Sequence, residues 1–192
     1  MRAVLIIFVI GLLTGNFYSQ DVDSNTVVFS SPGGIYLDTI QLDLSTLGEK
    51  IYYTTNGEKP SSNSIRYSAP INIDKTTAIR AIAYKKGKPG NIVTQTYLVG
   101  REYNMAVISI TGDPDDFFSF DRGIYVKGCC ADSVPPYKRA NFWKGWERQV
   151  NIEFYEPTGE LGFNQQVGVR IFGGFSKGLP MKSLAITSRK KY

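Results

Sequence analysis

A chain of 192 residues without a single histidine excludes Ser-His-Asp and Cys-His nucleophiles, His-ligated zinc and imidazole acid–base chemistry. Its 42% hydrophobic and 20% charged residues are those of a packed globular protein, and 13% aromatics, mostly Tyr and Phe, favour strands. The net charge of +5 is uneven: residues 161–192 hold six bases (Arg170, Lys177, Lys182, Arg189, Lys190, Lys191) and no acid, against 16 bases and 17 acids in the other 160 residues.

The chain opens with Met1-Arg2 and an apolar run from Ala3 to Leu13, broken only by Gly11. That run is about half of the ~20 residues a membrane-spanning helix needs. Small and turn-prone residues follow, with Ser19 suited to a cut before Gln20. Residues 1–19 therefore read as a secretory signal peptide, which makes the protein secreted or cell-surface and leaves no transmembrane segment after removal. No Cys stands at the cleavage region, which argues against a lipoprotein. The only two cysteines, Cys129 and Cys130, are neighbours. A disulfide between them is strained, and two thiolates are too few for a metal, so they are expected as free thiols or as partners of cysteines elsewhere.

From 27 to 97, short apolar segments alternate with turn signals about every ten residues, the pattern of a β-sandwich. Val27 to Phe29 precedes the turn Ser30 to Gly34. Ile35, Leu37, Ile40, Leu42 and Leu44 form two alternating runs. Ile51 to Thr55 leads into Asn56-Gly57, where two positive-φ residues are expected to close a tight turn. Ile71 to Ile73, Ala78 to Tyr84 and Ile92 to Tyr97 complete the set, with Gly87, Pro89 and Gly90 marking the last hairpin. Alternation puts Tyr52 and Tyr53 on opposite faces, so one of the two is expected in the core.

The string Ile51-Tyr52-Tyr53-Thr54-Thr55-Asn56-Gly57-Glu58-Lys59-Pro60, with Tyr67, Pro70-Ile71 and Thr76 to Ala83, resembles the C-terminal domain type of chitobiase and β-hexosaminidase. The resemblance implies a small immunoglobulin-like sandwich that accompanies carbohydrate-active or surface proteins. A spacer is its expected role. Sugar stacking on Tyr52, Tyr53 or Tyr84 is the alternative.

Residues 98–104 read as a polar linker, and 105–192 as the start of a second domain. Met105 to Ile110 is an expected strand ending at the turn Thr111 to Pro114. Asp113, Asp115 and Asp116 suit either a Ca²⁺ site or, preferably, the first turn of a helix whose buried face begins at Phe117-Phe118. Strands are expected at Gly123 to Lys127, Val150 to Tyr155, Val167 to Phe172 and Lys182 to Arg189. Trp143 and Trp146 read as core. The Gly-rich turn Gly173-Gly174, with Lys177 and then a strand bearing Lys182, is a candidate phosphate cradle, because glycines let backbone N–H groups approach an anion. Neither the Walker nor the G-x-G-x-x-G spacing is present, and an ordinary β-turn before an outward lysine reads the same way.

Gly123-Ile124-Tyr125-Val126, Asn141-Phe142-Trp143, Trp146-Glu147-Arg148, Ile152 to Tyr155, Gly168 to Lys177 and Pro180 to Leu184 are together similar to the start of the spore-coat CotH kinase family. The resemblance implies an atypical kinase-like α+β fold that uses ATP and a divalent metal ion to phosphorylate Ser in secreted or surface proteins. Carried over, Lys182 is the phosphate-binding lysine, with Gly173 and Gly174 beside it; Lys177 stands where the family usually has Arg. The family's acids lie beyond the lysine motif, and no Asp or Glu follows Glu160, so no catalytic residue is assigned and the acids are expected beyond Tyr192.

The expected fold is thus mainly β: an immunoglobulin-like sandwich followed by the incomplete β-rich front of an atypical kinase-like domain. The expected function is the N-terminal part of a secreted CotH-like protein, inactive by itself. A non-catalytic module on polysaccharide or cell wall is the alternative. Nucleic acid is not an expected partner, because the basic end lacks a binding motif.

Overall fold

The computed structural model describes residues 25–189. The signal segment at 1–19 and the bases Lys190 and Lys191 lie outside the described residues. The chain is mainly β, as expected, and its strands form two bodies of sheet. In the first, β1 (Val27–Phe29), β2 (Gly34–Tyr36), β3 (Ile40–Leu42), β4 (Leu44–Thr46), β5 (Lys50–Thr54), β6 (Ile65–Arg66), β7 (Ile71–Ile73), β8 (Thr77–Lys85) and β9 (Lys88–Val99) follow in chain order. One five-stranded sheet runs β2-β9-β8-β5-β6, and the pairs β1-β4 and β3-β7 complete the sandwich.

Alternation along the strands selects the core. Ile79, Ala81 and Ala83 of β8, Ile51 of β5 and Tyr97 of β9 bury one face of the large sheet against Val27, Leu42, Leu44 and Ile73. Tyr53 packs against this cluster, while Tyr52 on the opposite face meets Tyr84 edge-on at 5.5 Å between ring centroids. The β8–β9 hairpin closes through Lys86 and Gly87, both at positive φ, so Pro89 and Gly90 fall inside β9.

Asn56-Gly57 does not close a hairpin. Only Gly57 has positive φ (85°), and the chain runs on to Ile65 before pairing again with β5. Asn56 Oδ1 instead accepts from the Glu58 N–H at 3.1 Å. A Cβ on Gly57 would lie 2.7 Å from the Gly112 carbonyl oxygen, which places this turn against the second body.

That body is one antiparallel sheet in the order β10 (Val107–Thr111), β11 (Arg148–Tyr155), β12 (Leu161–Phe172), β13 (Ser183–Thr187). Between β10 and β11 lie helix α1 (Pro114–Phe118) and a 3₁₀ turn at Asn141–Trp143. Residues 123–127, expected as a strand, are irregular. The Ile124 and Tyr125 N–H groups donate to the Asp116 and Phe117 carbonyls, so this backbone caps α1 rather than extending a sheet. Its side chains still reach the core: Ile124 joins Ala140, Phe142, Val150, Ile152, Val167, Val169 and Ile171, with Trp143 and Trp146 packed against them. Ile108, Ile110 and Phe163 stand exposed on the sheet.

The stretch from 98 to 104 is only partly a connection, because β9 runs to Val99 and Leu98 is buried. Among the described residues no helix is long and apolar enough to cross a membrane.

Candidate functional site: a lysine–aromatic cluster and a polar seam

The segment 173–182 joins β12 to β13 and folds through a 3₁₀ turn at Phe175–Gly178. Gly173 has φ 119°, in the region that favours glycine, and a Cβ there would meet Ser176 Oγ at 2.4 Å. The turn delivers Lys177 and Lys182 to one aromatic floor. The Lys177 ammonium lies 5.2 Å from the Trp143 ring centroid, and that of Lys182 lies 4.5 Å from Phe142 and 5.3 Å from Tyr125. Phe142 and Trp143 are themselves neighbours, with centroids 6.4 Å apart. Gly173, Gly174, Lys177 and Lys182 thus share one connection, and the two lysines stand over the neighbouring Trp143 and Phe142 rings.

Lys182 is held by donating from Nζ to the Leu179 carbonyl at 2.5 Å, while its own N–H donates to the Tyr125 hydroxyl at 3.0 Å. Burial pushes its pKa down, and the nearby Lys127 ammonium pushes the same way. Lys127 sits over the Tyr137 ring at 3.5 Å. Among the described residues none of these three lysines has a carboxylate within ion-pair distance. The three lysines thus stand over aromatic faces, and two of them, Lys127 and Lys182, repel each other. Lys127 carries no motif, so no local signal in the sequence marks it.

The acidic cluster is a cap. Asp113 Oδ1 accepts from the Asp115 N–H at 3.0 Å at the start of α1. Arg122 lies within 3.5–3.7 Å of Asp113, Asp115 and Asp116, and Arg148 within 3.7 Å of Asp116. Cys129 and Cys130 are exposed free thiols.

The second feature is the contact between the two bodies. On β11 the even residues Val150 and Ile152 enter the core, so Gln149, Asn151, Glu153 and Tyr155 share the other face. Cross-strand register aligns them with Ser109 and Thr111 on β10 and with Asn164 and Gln166 on β12. This polar face is turned onto the sandwich. Glu153 and Tyr155 are both fully buried against Thr96 of β9.

Thr96 donates from its backbone N to Glu153 Oε1 at 3.0 Å, and its Oγ1 lies 2.5 Å from Glu153 Oε2. The Tyr155 hydroxyl lies 2.9 Å from the Thr96 carbonyl and 2.8 Å from Glu153 Oε1. Asn164 donates from Nδ2 to the Thr94 carbonyl at 2.9 Å. The seam continues into a cleft of about 640 Å³ whose walls include Arg80 and Tyr84 from the sandwich and Gln149, Asn151 and Gln166 from the second sheet. Arg80 donates from Nη1 to the Gly57 carbonyl at 2.6 Å, and burial lowers its pKa, partly offset by Asp113.

Together these features define a mainly β protein of two packed bodies: a sandwich, and a four-stranded sheet that carries a lysine–aromatic site on the β12–β13 connection. The family model described as Fn3 associated matches residues 40–97, within the sandwich. No curated protein matches the chain.

Proposed function

We propose that the second body is the anion-gripping front of a secreted, CotH-type phosphoryl-transfer protein, in which Lys182, supported by Lys127 and Lys177, holds the phosphates of ATP beside the Gly173–Gly174 turn. The observation that supports this reading is the placement of Lys182 on the Phe142 and Tyr125 rings next to Lys127, with no carboxylate within ion-pair distance among the described residues. The chemistry of transfer to a serine of a secreted or surface protein needs carboxylates and a divalent metal ion, which these residues do not supply. The reading therefore assigns binding to this chain and not turnover. The chitobiase-like character of the sandwich belongs to the same proposal, as the module that carries the domain at the cell surface.

The test is calorimetric titration of the full chain with Mg-ATP and with inorganic pyrophosphate. A charge-assisted hydrogen bond contributes ~1.5–3 kcal/mol, so Lys182→Ala is expected to weaken both ligands by roughly 10- to 100-fold. Lys182→Arg should retain most of the binding, and Lys144→Ala all of it. Binding should also weaken as pH rises through the lowered pKa of Lys182, where its charge is lost. Absence of saturable binding, or equal binding by Lys182→Ala, sinks the proposal.

A second reading, a non-catalytic module on polysaccharide, is favoured by Tyr84, which lines the cleft beside planar polar side chains of the kind that bind sugar hydroxyls. Retention of the chain on chitin or peptidoglycan, lost in Tyr84→Ala, would support it.

A further inference from the structure

We infer that Glu153 sits in the seam as the protonated acid and uses that proton to bolt the two bodies together, so that the seam is a pH-sensitive lock. The inference rests on a count of hydrogens. Four contacts in the seam join oxygen to oxygen: Tyr155 hydroxyl to Thr96 carbonyl, Tyr155 hydroxyl to Glu153 Oε1, Thr96 Oγ1 to Glu153 Oε2, and Thr96 Oγ1 to Ser109 Oγ, all between 2.5 and 2.9 Å. A full hydrogen for each takes four, and the hydroxyls of Tyr155, Thr96 and Ser109 supply three. A carbonyl oxygen has none to give. With Glu153 ionised, the single Tyr155 hydrogen is divided between the Thr96 carbonyl and Glu153 Oε1; a proton on Glu153 gives each contact a hydrogen of its own.

The surroundings agree. Glu153 is fully buried, and its neighbours are Thr96 from β9, Ser109 from β10, Tyr155 from its own strand and Asn164 from β12. No cation pairs with it among the described residues. The titratable groups that act on it are Tyr155 and Tyr97, both held above the ordinary phenol range by burial, so neither ionises before it. Burial likewise pushes the Glu153 carboxyl upward, against the lowering effect of the bonds that Thr96 and Tyr155 can donate to its ionised form.

A buried acid whose folded pKa lies above its unfolded value stabilises fully below the unfolded value, and that stability is lost as pH rises through the folded one. Alkalinity therefore loosens the seam: ionisation removes the fourth hydrogen and leaves a buried charge with no cation beside it among the described residues.

The experiment is a carboxyl-carbon NMR titration of the full chain with its glutamates labelled. One carboxyl should keep its proton above the ordinary glutamate range, and its signal should disappear from the spectrum of Glu153→Gln. All carboxyls titrating in the ordinary range overturns the inference, as does a late-titrating signal that survives Glu153→Gln. If Glu153→Gln fails to fold, the wild-type chain decides alone. Its thermal midpoint should fall as pH rises above the ordinary glutamate range, and connection 100–106 should become protease-sensitive over the same interval. A flat or rising midpoint overturns the lock.

Discussion

Replacing Tyr155 by Phe removes one oxygen from the seam and leaves the ring, which is fully buried, in place. The lost hydroxyl lies 2.9 Å from the Thr96 carbonyl and 2.8 Å from Glu153 Oε1. Its net bond contributes ~0.5–1.5 kcal/mol, and a buried acceptor left unserved costs ~1–3 kcal/mol, so the expected loss is about 2 kcal/mol. With a urea slope on the order of 2 kcal/mol/M, the unfolding midpoint should drop by roughly 1 M at unchanged slope. The assay should use two probes. Both tryptophans, Trp143 and Trp146, lie in the second body, so their fluorescence reports there alone, whereas far-ultraviolet circular dichroism reports both bodies. If the seam joins the bodies into one cooperative unit, the two midpoints coincide in the wild type and the substitution lowers fluorescence and dichroism midpoints alike. Separate transitions in the wild type, or a midpoint that Tyr155→Phe leaves within about 0.2 M, would refute the reasoning.

Two further substitutions probe the same architecture. A Cβ on Gly33 would lie 2.6 Å from the Tyr155 hydroxyl and 2.9 Å from the Thr96 carbonyl, so Gly33→Ala should cost ~1–3 kcal/mol in urea unfolding by forcing the seam apart. Asp113→Ala removes the cap of α1 and one of the acids around Arg122; a loss of ~1 kcal/mol is expected, with Mg-ATP binding unchanged because the lysine site stands elsewhere.

Much of this architecture was legible in the sequence because burial and period-2 alternation coincide in it. Ile51, Ile79, Ala81 and Ala83 fall on one face of their strands and all enter the core, and Val150 and Ile152 do the same in the second sheet. Asp113 read as a cap because an acid before Pro114 and two further acids is a local signal, complete within one turn of chain. The failures were places where the decisive partner is remote. Gly123 to Lys127 has the composition of a strand, yet its N–H groups go to the helix before it. Asn56-Gly57 has the composition of a hairpin turn, yet Gly57 is needed for its approach to Gly112 in the other body. Lys127 could not be tied to Lys182, because nothing local links a lysine after an irregular segment to one at the foot of an edge strand.

The seam shows why polar alternation misleads. Asn151, Glu153 and Tyr155 alternate with Val150 and Ile152, and polar residues at every second position of a strand are normally hydrated. Here the opposing face of the sandwich presents Arg80, Thr94 and Thr96, whose own polarity has the same innocent reading. Each strand alone predicts water. Only the pair predicts a buried contact, because Thr96 and Asn164 supply the donors that a buried Glu153 requires. The consequence runs to function. A sandwich joined by a flexible tether would leave the lysine site free to orient by itself. A sandwich bolted through Glu153 makes the two bodies one frame, so whatever the first body is fixed to also fixes the direction in which the β12–β13 connection presents Lys182.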